Sequence, residues 1–218
     1  MAITDFIIND IKPVPETHKI EEVQSMFSQT TYSHIPISRA GFYLGCLAEA
    51  DTHCYNANSE IGVYSQSFQN YYVLFETNWL SVLEAFAKNS TNLMPVLNEE
   101  GNYIGYYELA DVLSFFGNTP FMKLPGNIII VEKGLVDYSL SEISQIVESN
   151  DGKIMGTLLS AISNDIAQVS IKVGDANFND ILATYRRYGY TIVSSHQEDR
   201  FLKELEDRSR YLDKYLNI

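Results

Sequence analysis

Gly41-Phe-Tyr-Leu-Gly-Cys-Leu-Ala-Glu-Ala-Asp51 and Gly101-Asn-Tyr-Ile-Gly-Tyr-Tyr-Glu-Leu-Ala-Asp111 lie sixty residues apart and read alike. In each, a glycine turn leads into a short apolar strand. A second glycine follows four residues on, at Gly45 and Gly105, and an Asp six residues later. Upstream the likeness continues at the same offset. Thr17–Phe27 places Ile20, Val23, Met26 and Phe27 on one stripe, and Thr77–Ala87 does the same with Leu80, Leu83, Phe86 and Ala87. Spacing of i, i+3, i+6, i+7 predicts two amphipathic helices. Thr17 and Thr77 stand where an N-cap is wanted. Ile35-Pro36-Ile37 and Met94-Pro95-Val96 supply a strand after each helix. The unit is strand–helix–strand–strand–helix, present twice. One such unit leaves a sheet face and a strand edge bare, and a second copy can cover both.

The order of elements resembles a tandem CBS pair over about residues 1–117. The matching residues are the extended lead-in Thr4-Asp5-Phe6-Ile7 to Val14, the apolar-Pro-apolar strands, and the glycine-to-Asp segments ending at Asp51 and Asp111. That resemblance implies sensing rather than catalysis, with an adenine nucleotide or adenosyl compound in clefts between the copies. It puts Asp51 and Asp111 on the ribose hydroxyls, and Ile35, Pro36, Met94 and Pro95 at the cleft walls. Asp51 and Asp111 can equally cap the helices that follow, and the prolines can be strand-end residues. The family's hydroxyl position is Ala48 in one copy and Glu108 in the other. Ala48 donates nothing and Glu108 repels phosphate, which favours a neutral or cationic adenosyl ligand, or an empty cleft. The polar, aromatic stretch Asn56–Tyr72 reads as a linker plus a lead-in strand.

Pro and Gly punctuation at 117–126 marks a boundary. Beyond it Asn127–Glu132 reads as a buried strand. Leu140, Ile143, Ile146 and Val147 mark a helix started by Ser139 or Asp137. Lys153–Ile162 and Ile166–Val173 form a hairpin, Phe178–Tyr188 a helix closed by Gly189, and Tyr190–Val193 a last strand. This β-α-β-β-α-β order is ferredoxin-like and resembles an ACT domain over about 127–196. The resemblance implies side-by-side pairing and an amino-acid site at the first turn, here Asp137, Tyr138 and Ser139. Tyr138 replaces the family's glycine there, so a purely pairing role is the competing expectation. Asp199–Leu216 predicts a final helix, packed across a dimer interface, onto its own chain, or loose.

The expected class is therefore α+β (α/β). The expected domains are a CBS pair over 1–120 with repeats of about 1–58 and 59–120, an ACT-like domain over 121–197, and a helix over 198–218. The whole resembles the acetoin-utilisation type of CBS–ACT protein.

The 218 residues carry a formal net charge of −13. Residues 1–120 account for −10 of it, with Lys12, Lys19, Arg39 and Lys88 as their basic residues. Nucleic acid and anionic membrane both want a cationic surface, so neither is expected as a partner. No apolar run approaches the roughly 20 residues of a membrane span. Cys46 and Cys54 are too few for a disulfide framework, and a cytoplasmic protein is expected. His18, His34, His53 and His196 are scattered. Asp51-Thr52-His53-Cys54 lacks a partner pair at zinc-like spacing, so no metal and no cofactor is expected. No phosphate loop or nucleophile elbow is present. The expected protein is a non-catalytic homodimeric regulator, with a regulated protein as partner. A ligand-free scaffold is the alternative.

Overall fold

Two three-stranded sheets of one design fill the first part of the chain. The computed structural model describes residues 2–174 and 177–193. The first copy has β1 (Val14–Pro15), α1 (Ile20–Ser28), β2 (His34–Arg39), β3 (Phe42–Ala48) and α2 (Glu49–Thr52). The second has β4 (Val73–Leu74), α3 (Trp79–Asn89), β5 (Leu93–Leu97), β6 (Tyr103–Glu108) and α4 (Leu109–Gly117). The sheets run β1-β2-β3 and β4-β5-β6. In both, the first pairing is parallel and the second antiparallel. Each hairpin breaks register at the matching point, Ile37/Ser38 and Val96/Leu97.

Both helices form where expected, with their caps displaced, but the stripe of α3 is turned: Leu80 and Ala87 are exposed and Val82 takes a core position. α1 buries Ile20, Val23 and Phe27, and α3 buries Val82 and Phe86. The cap residues are Lys19 and Asn78, not Thr17 and Thr77. Asn78 Oδ1 accepts from Ser81 N at 3.0 Å. Lys19 N donates to Glu22 at 2.9 Å. Thr77 is occupied instead with Leu74 N, at 3.1 Å. Asp51 and Asp111 are not caps either. Ala48 and Glu108 hold those positions, and each Asp is the third helical residue. The lead-in to the first copy is a 3₁₀ turn at Ile3–Phe6 before it becomes extended. Asn56–Tyr72 is more than a linker: it carries a 3₁₀ stretch, Ile61–Ser67, whose Ile61 is fully buried in the first core.

The copies exchange their lead-ins. Ile8, ahead of the first copy, bridges Tyr106 of the second through two backbone hydrogen bonds of 2.9 Å. Gln69, ahead of the second copy, bridges Cys46 of the first through two more of 2.9 Å. This close approach explains the second glycine of each quoted stretch. A methyl group on Gly105 would overlap Ile8 O and sit 2.6 Å from Ile7 Cγ2. On Gly45 it would lie 3.1 Å from Gln69 O.

The chain divides into two units, one ending at Asn118 and the next starting at Thr119. The second holds α5 (Pro120–Lys123), β7 (Asn127–Gly134), α6 (Leu140–Glu148), β8 (Ile154–Ser163), β9 (Ile166–Val173), α7 (Phe178–Arg187) and β10 (Thr191–Ile192). Its sheet runs β10-β7-β9-β8, antiparallel throughout. Ile129 and Val131 of β7 and Val169, Ile171 and Val173 of β9 meet α6 and α7 in one core. The punctuated boundary stretch contains the turn of helix α5. Lys172 Nζ donates to Phe121 O at 2.6 Å, and the Phe121 ring lies over Gly156. The helix expected over 199–216, and His196, lie outside the described residues.

Gly105→Ala is expected to destabilise the first unit by about 2–4 kcal/mol, through overlap and backbone strain. Gly45→Ala, with the looser approach, should cost about half as much. Urea titrations of both variants check the order.

Candidate functional site

The strand pairings decide which expected residues can line a cleft. His34, Pro36, Cys46 and Ala48 share one face, because His34 pairs with Ala48 and Pro36 with Cys46. Ile35 and Leu47 share the opposite face, in the first core. The second copy repeats the division. Leu93, Pro95, Tyr106 and Glu108 share a face, while Met94 and Tyr107 are fully buried in the core. Pro36 and Pro95 thus stand on the sheet faces opposite these core residues, and both are buried. Ile35 and Met94 keep their side chains in the cores and can offer a ligand only backbone.

Each helix after a hairpin is anchored to the turn that precedes its own copy's hairpin. Glu49 N donates to Ser33 O at 2.9 Å, and Leu109 N to Asn92 O at 3.1 Å. Ser33 and Asn92 also bind each other, Ser33 N to Asn92 Oδ1 at 2.8 Å, and Asn92 Nδ2 reaches Thr31 O at 2.7 Å. Those bonds fix the helix starts, and with them the half-buried Asp51 and Asp111.

The two clefts differ in what fills them. In the second, Tyr106 O–H donates to Asp10 Oδ1 at 2.7 Å, and Tyr32 lies 2.9 Å from Tyr106, hydroxyl to hydroxyl. Tyr32 also binds the Glu108 carboxylate. Burial, then the Glu108 bond, pushes the Tyr32 phenol up to about 12. The lead-in, the first copy and the second copy therefore close on one another there. In the first cleft the matching strand positions hold Cys46 and Ala48, which fill far less volume. Tyr43 O–H lies 3.4 Å from Cys46 Sγ and donates to Tyr71 O at 2.7 Å. Burial pushes the Cys46 thiol up to about 12, so it stays protonated and unreactive near neutrality.

His34 is the buried imidazole of the first cleft. Its Nδ1 is 2.8 Å from Ser33 Oγ, and its ring meets Tyr71 edge-on at 5.7 Å. Burial lowers its pKa from the usual range, against the opposing pull of the Gln69 hydrogen bond and the Asp51 charge. The second copy has Leu93 in the matching place. In the sequence His34 stands out only as one of four scattered histidines. Sequence reading missed Asp10, Tyr32 and Tyr106, which lie on separate elements and share no spacing.

In the second unit the expected turn is engaged with its own fold. Asp137 N and Tyr138 N both donate to Gly134 O at 2.9 Å. The Tyr138 ring packs against the core. Ser139 caps α6, its Oγ 3.4 Å from Glu142 N. Glu142 takes hydrogen bonds of 2.8 Å from both Lys133 Nζ and Tyr190 O–H. Its carboxyl is held below the usual range, chiefly by the Lys133 bond. Among the described residues no group of three or more His, Cys, Asp or Glu side chains could hold a metal ion. None of the described helices is long and apolar enough to cross a membrane.

A histidine with a lowered folded pKa is charged first in the unfolded chain, so its contribution to stability fades as the pH falls. Below about pH 6.5, unfolding free energy should drop in the wild type relative to His34→Leu, by at most about 1.4 kcal/mol per pH unit. Denaturant titrations across that range read the difference directly.

No protein-family model matches the chain, and no curated protein matches it. Among solved structures the chain is similar to a CBS domain pair/ACT domain protein from Thermotoga maritima, at 20% identity and a TM-score of 0.49, over 53% of this chain and 96% of that one. It is similar to the CBS domains of a transcriptional regulator from Streptococcus pneumoniae, at 13% identity and a TM-score of 0.46, over 52% and 98%. A third similar structure is CBSX2 in complex with AMP, at 12% identity and a TM-score of 0.46, over 53% and 95%.

Proposed function

We propose that the protein is a non-catalytic regulator whose CBS-type pair takes a small adenosyl-type ligand in the first cleft, beside Asp51. The observation that carries this reading is the difference between the clefts. Tyr32, Tyr106, Glu108 and Asp10 are bonded to one another in the second, while the matching strand positions of the first hold the smaller Cys46 and Ala48 and no carboxylate. Asp51 is well suited to accept two ribose hydroxyl protons, since an ionised carboxylate accepts and never donates. A lowered pKa keeps His34 uncharged there. The net charge of −10 over residues 1–120 favours a ligand that is neutral or cationic over a polyphosphate.

The second unit is proposed as an ACT-like pairing domain that makes the protein a homodimer and carries the ligand signal to a regulated partner. Its β8 supports this. β8 is an edge strand, and its ten residues include no charge and no proline. Leu158 and Ile162 are 60% and 56% exposed on it. Monomeric proteins guard such edges with charges, prolines or bulges; β8 has neither of the first two, and its register against β9 shifts at Ile154/Gly156 and Leu159/Ala161. A second copy of β8 is the natural occupant. The alternative, a scaffold that pairs without a ligand, rests on the same strand together with the closed second cleft.

Two measurements test the reading. With AMP, ATP, S-adenosylmethionine and an amino-acid panel, an adenosyl compound at a hundredfold excess over its Kd should add about 2.7 kcal/mol of stability. That stabilisation should vanish in Asp51→Asn and persist in Asp111→Asn. No shift with any compound favours the scaffold. Separately, Leu158→Lys/Ile162→Lys should convert a species of two chains into one of a single chain by light scattering. An unchanged mass would remove β8 as the pairing edge.

A further inference from the structure

The second unit begins with a strap that lies on its sheet without entering its core. The strap is α5 and the residues after it, up to Gly126. From Met122 to Gly126 every residue is exposed, and α5 buries none of its own. The strap sits on the sheet face opposite the helices. Ile171 and Val173 of β9 point into the core, so Lys172 points to the other side. Lys172 is the register partner of Gly156 on β8. There Lys172 Nζ donates to Phe121 O at 2.6 Å and to Met122 O at 3.4 Å, and it stands 5.7 Å from the centre of the Phe121 ring. The ring lies flush on the backbone of Gly156, where an added methyl group would overlap ring carbon Cδ2 and sit 2.8 Å from Cε2. The strand is adjusted to receive it. Pairing with β9 skips Met155, an extra residue that bulges between Ile154 and Gly156. Farther on, Gly126 passes so close to Val173 O that a methyl group would lie 2.7 Å from it.

We propose that α5 is a releasable latch, which sets how much free chain joins the two units. Docked, it leaves only Asn118 and Thr119 between the end of α4 and the pinned strap. Released, it frees all of 118–126, up to the start of β7. Its grip uses a half-buried ring, a lysine and exposed backbone, set against a core that includes none of them. Contacts of that kind open locally while the rest of the domain stays folded. The slot is nonetheless a built one. A glycine inside a strand weakens it, and the place of Gly156 under the Phe121 ring gives that glycine its use. α4 leads straight into the latch, so a shift of α4 reaches it across two residues. The latch does not depend on which compound, if any, the first cleft takes.

Trypsin reads the latch, because Lys123 lies in it and a protease cuts the opened form. In the full chain, cleavage after Lys123 should rise about tenfold in Gly156→Ala, which displaces the ring, and in Lys172→Met, which removes the bonds to the carbonyls but keeps the stem. Cleavage after Lys133, inside β7, should not rise with it. Spin labels on Cys54 and on Ser163→Cys, both exposed and in separate units, should give a broader distance distribution once Gly156→Ala is added. In the wild type alone, the amides of Lys123 and Leu124 donate to Thr119 O and Pro120 O at 3.0 Å. Their hydrogen exchange should run through a local opening that low urea leaves unchanged, while the amides of β9, an inner strand, exchange through an opening that urea promotes. An unchanged Lys123 rate, a Lys133 rate that rises in step with it, or a distance distribution of unchanged width would each overturn the latch. Equal urea dependence of the two sets of amides overturns it even where a variant fails to fold.

Discussion

The first unit depends on four backbone hydrogen bonds in two reciprocal pairs, Ile8 with Tyr106 and Gln69 with Cys46. A backbone N–H or C=O left unpaired inside a protein costs about as much as a lost hydrogen bond. Each copy's hairpin presents such groups along its last strand, and the other copy's lead-in answers them. Neither copy is self-sufficient, and two copies therefore make one folding unit. The clefts inherit this arrangement, for each is walled by one copy's hairpin and bounded by the segment that crosses to it. Gly45 and Gly105 allow that segment to approach.

How much of this was legible follows from which forces are local. The helices, the Pro strands and the hairpins announce themselves through periodicity, because a residue's face is fixed by its spacing. The repeat was visible for the same reason. The glycines at 45 and 105 were also visible, but their purpose was not, since what presses on them comes from distant chain. Cap identity was misread at Thr17 and Thr77 because the helices begin one or two residues later. A threonine, an asparagine and a glutamate can each satisfy the same backbone groups from slightly different places. The capping alternative for Asp51 and Asp111 fails on similar grounds, since Ala48 and Glu108 hold the cap positions and each Asp is the third helical residue.

The closed cleft was least legible. Asp10, Tyr32, Tyr106 and Glu108 have no common motif, and they meet only after the lead-ins cross. Ala48 and Glu108, at matching positions of the two copies, already differ in the sequence. The consequence in the structure is that Glu108 binds the Tyr32 hydroxyl, whereas Ala48 has no side-chain polar atom to offer. Two copies of one design thus carry unlike interiors. Divergence inside a repeat is where a sequence holds functional information that the fold alone does not.

The exchanged lead-ins also break the internal two-fold in time. Gln69 reaches back about 20 residues to Cys46, while Ile8 must wait for Tyr106, about 100 residues on. Closing the longer loop costs about 1.4 kcal/mol more in chain entropy. On the ribosome, the first bridge can form while the second copy is still being made. The N-terminal segment must remain unpaired until β6 emerges. Two bridges that are alike in space therefore become available at different times, and the later one lies beside Tyr32 and Glu108.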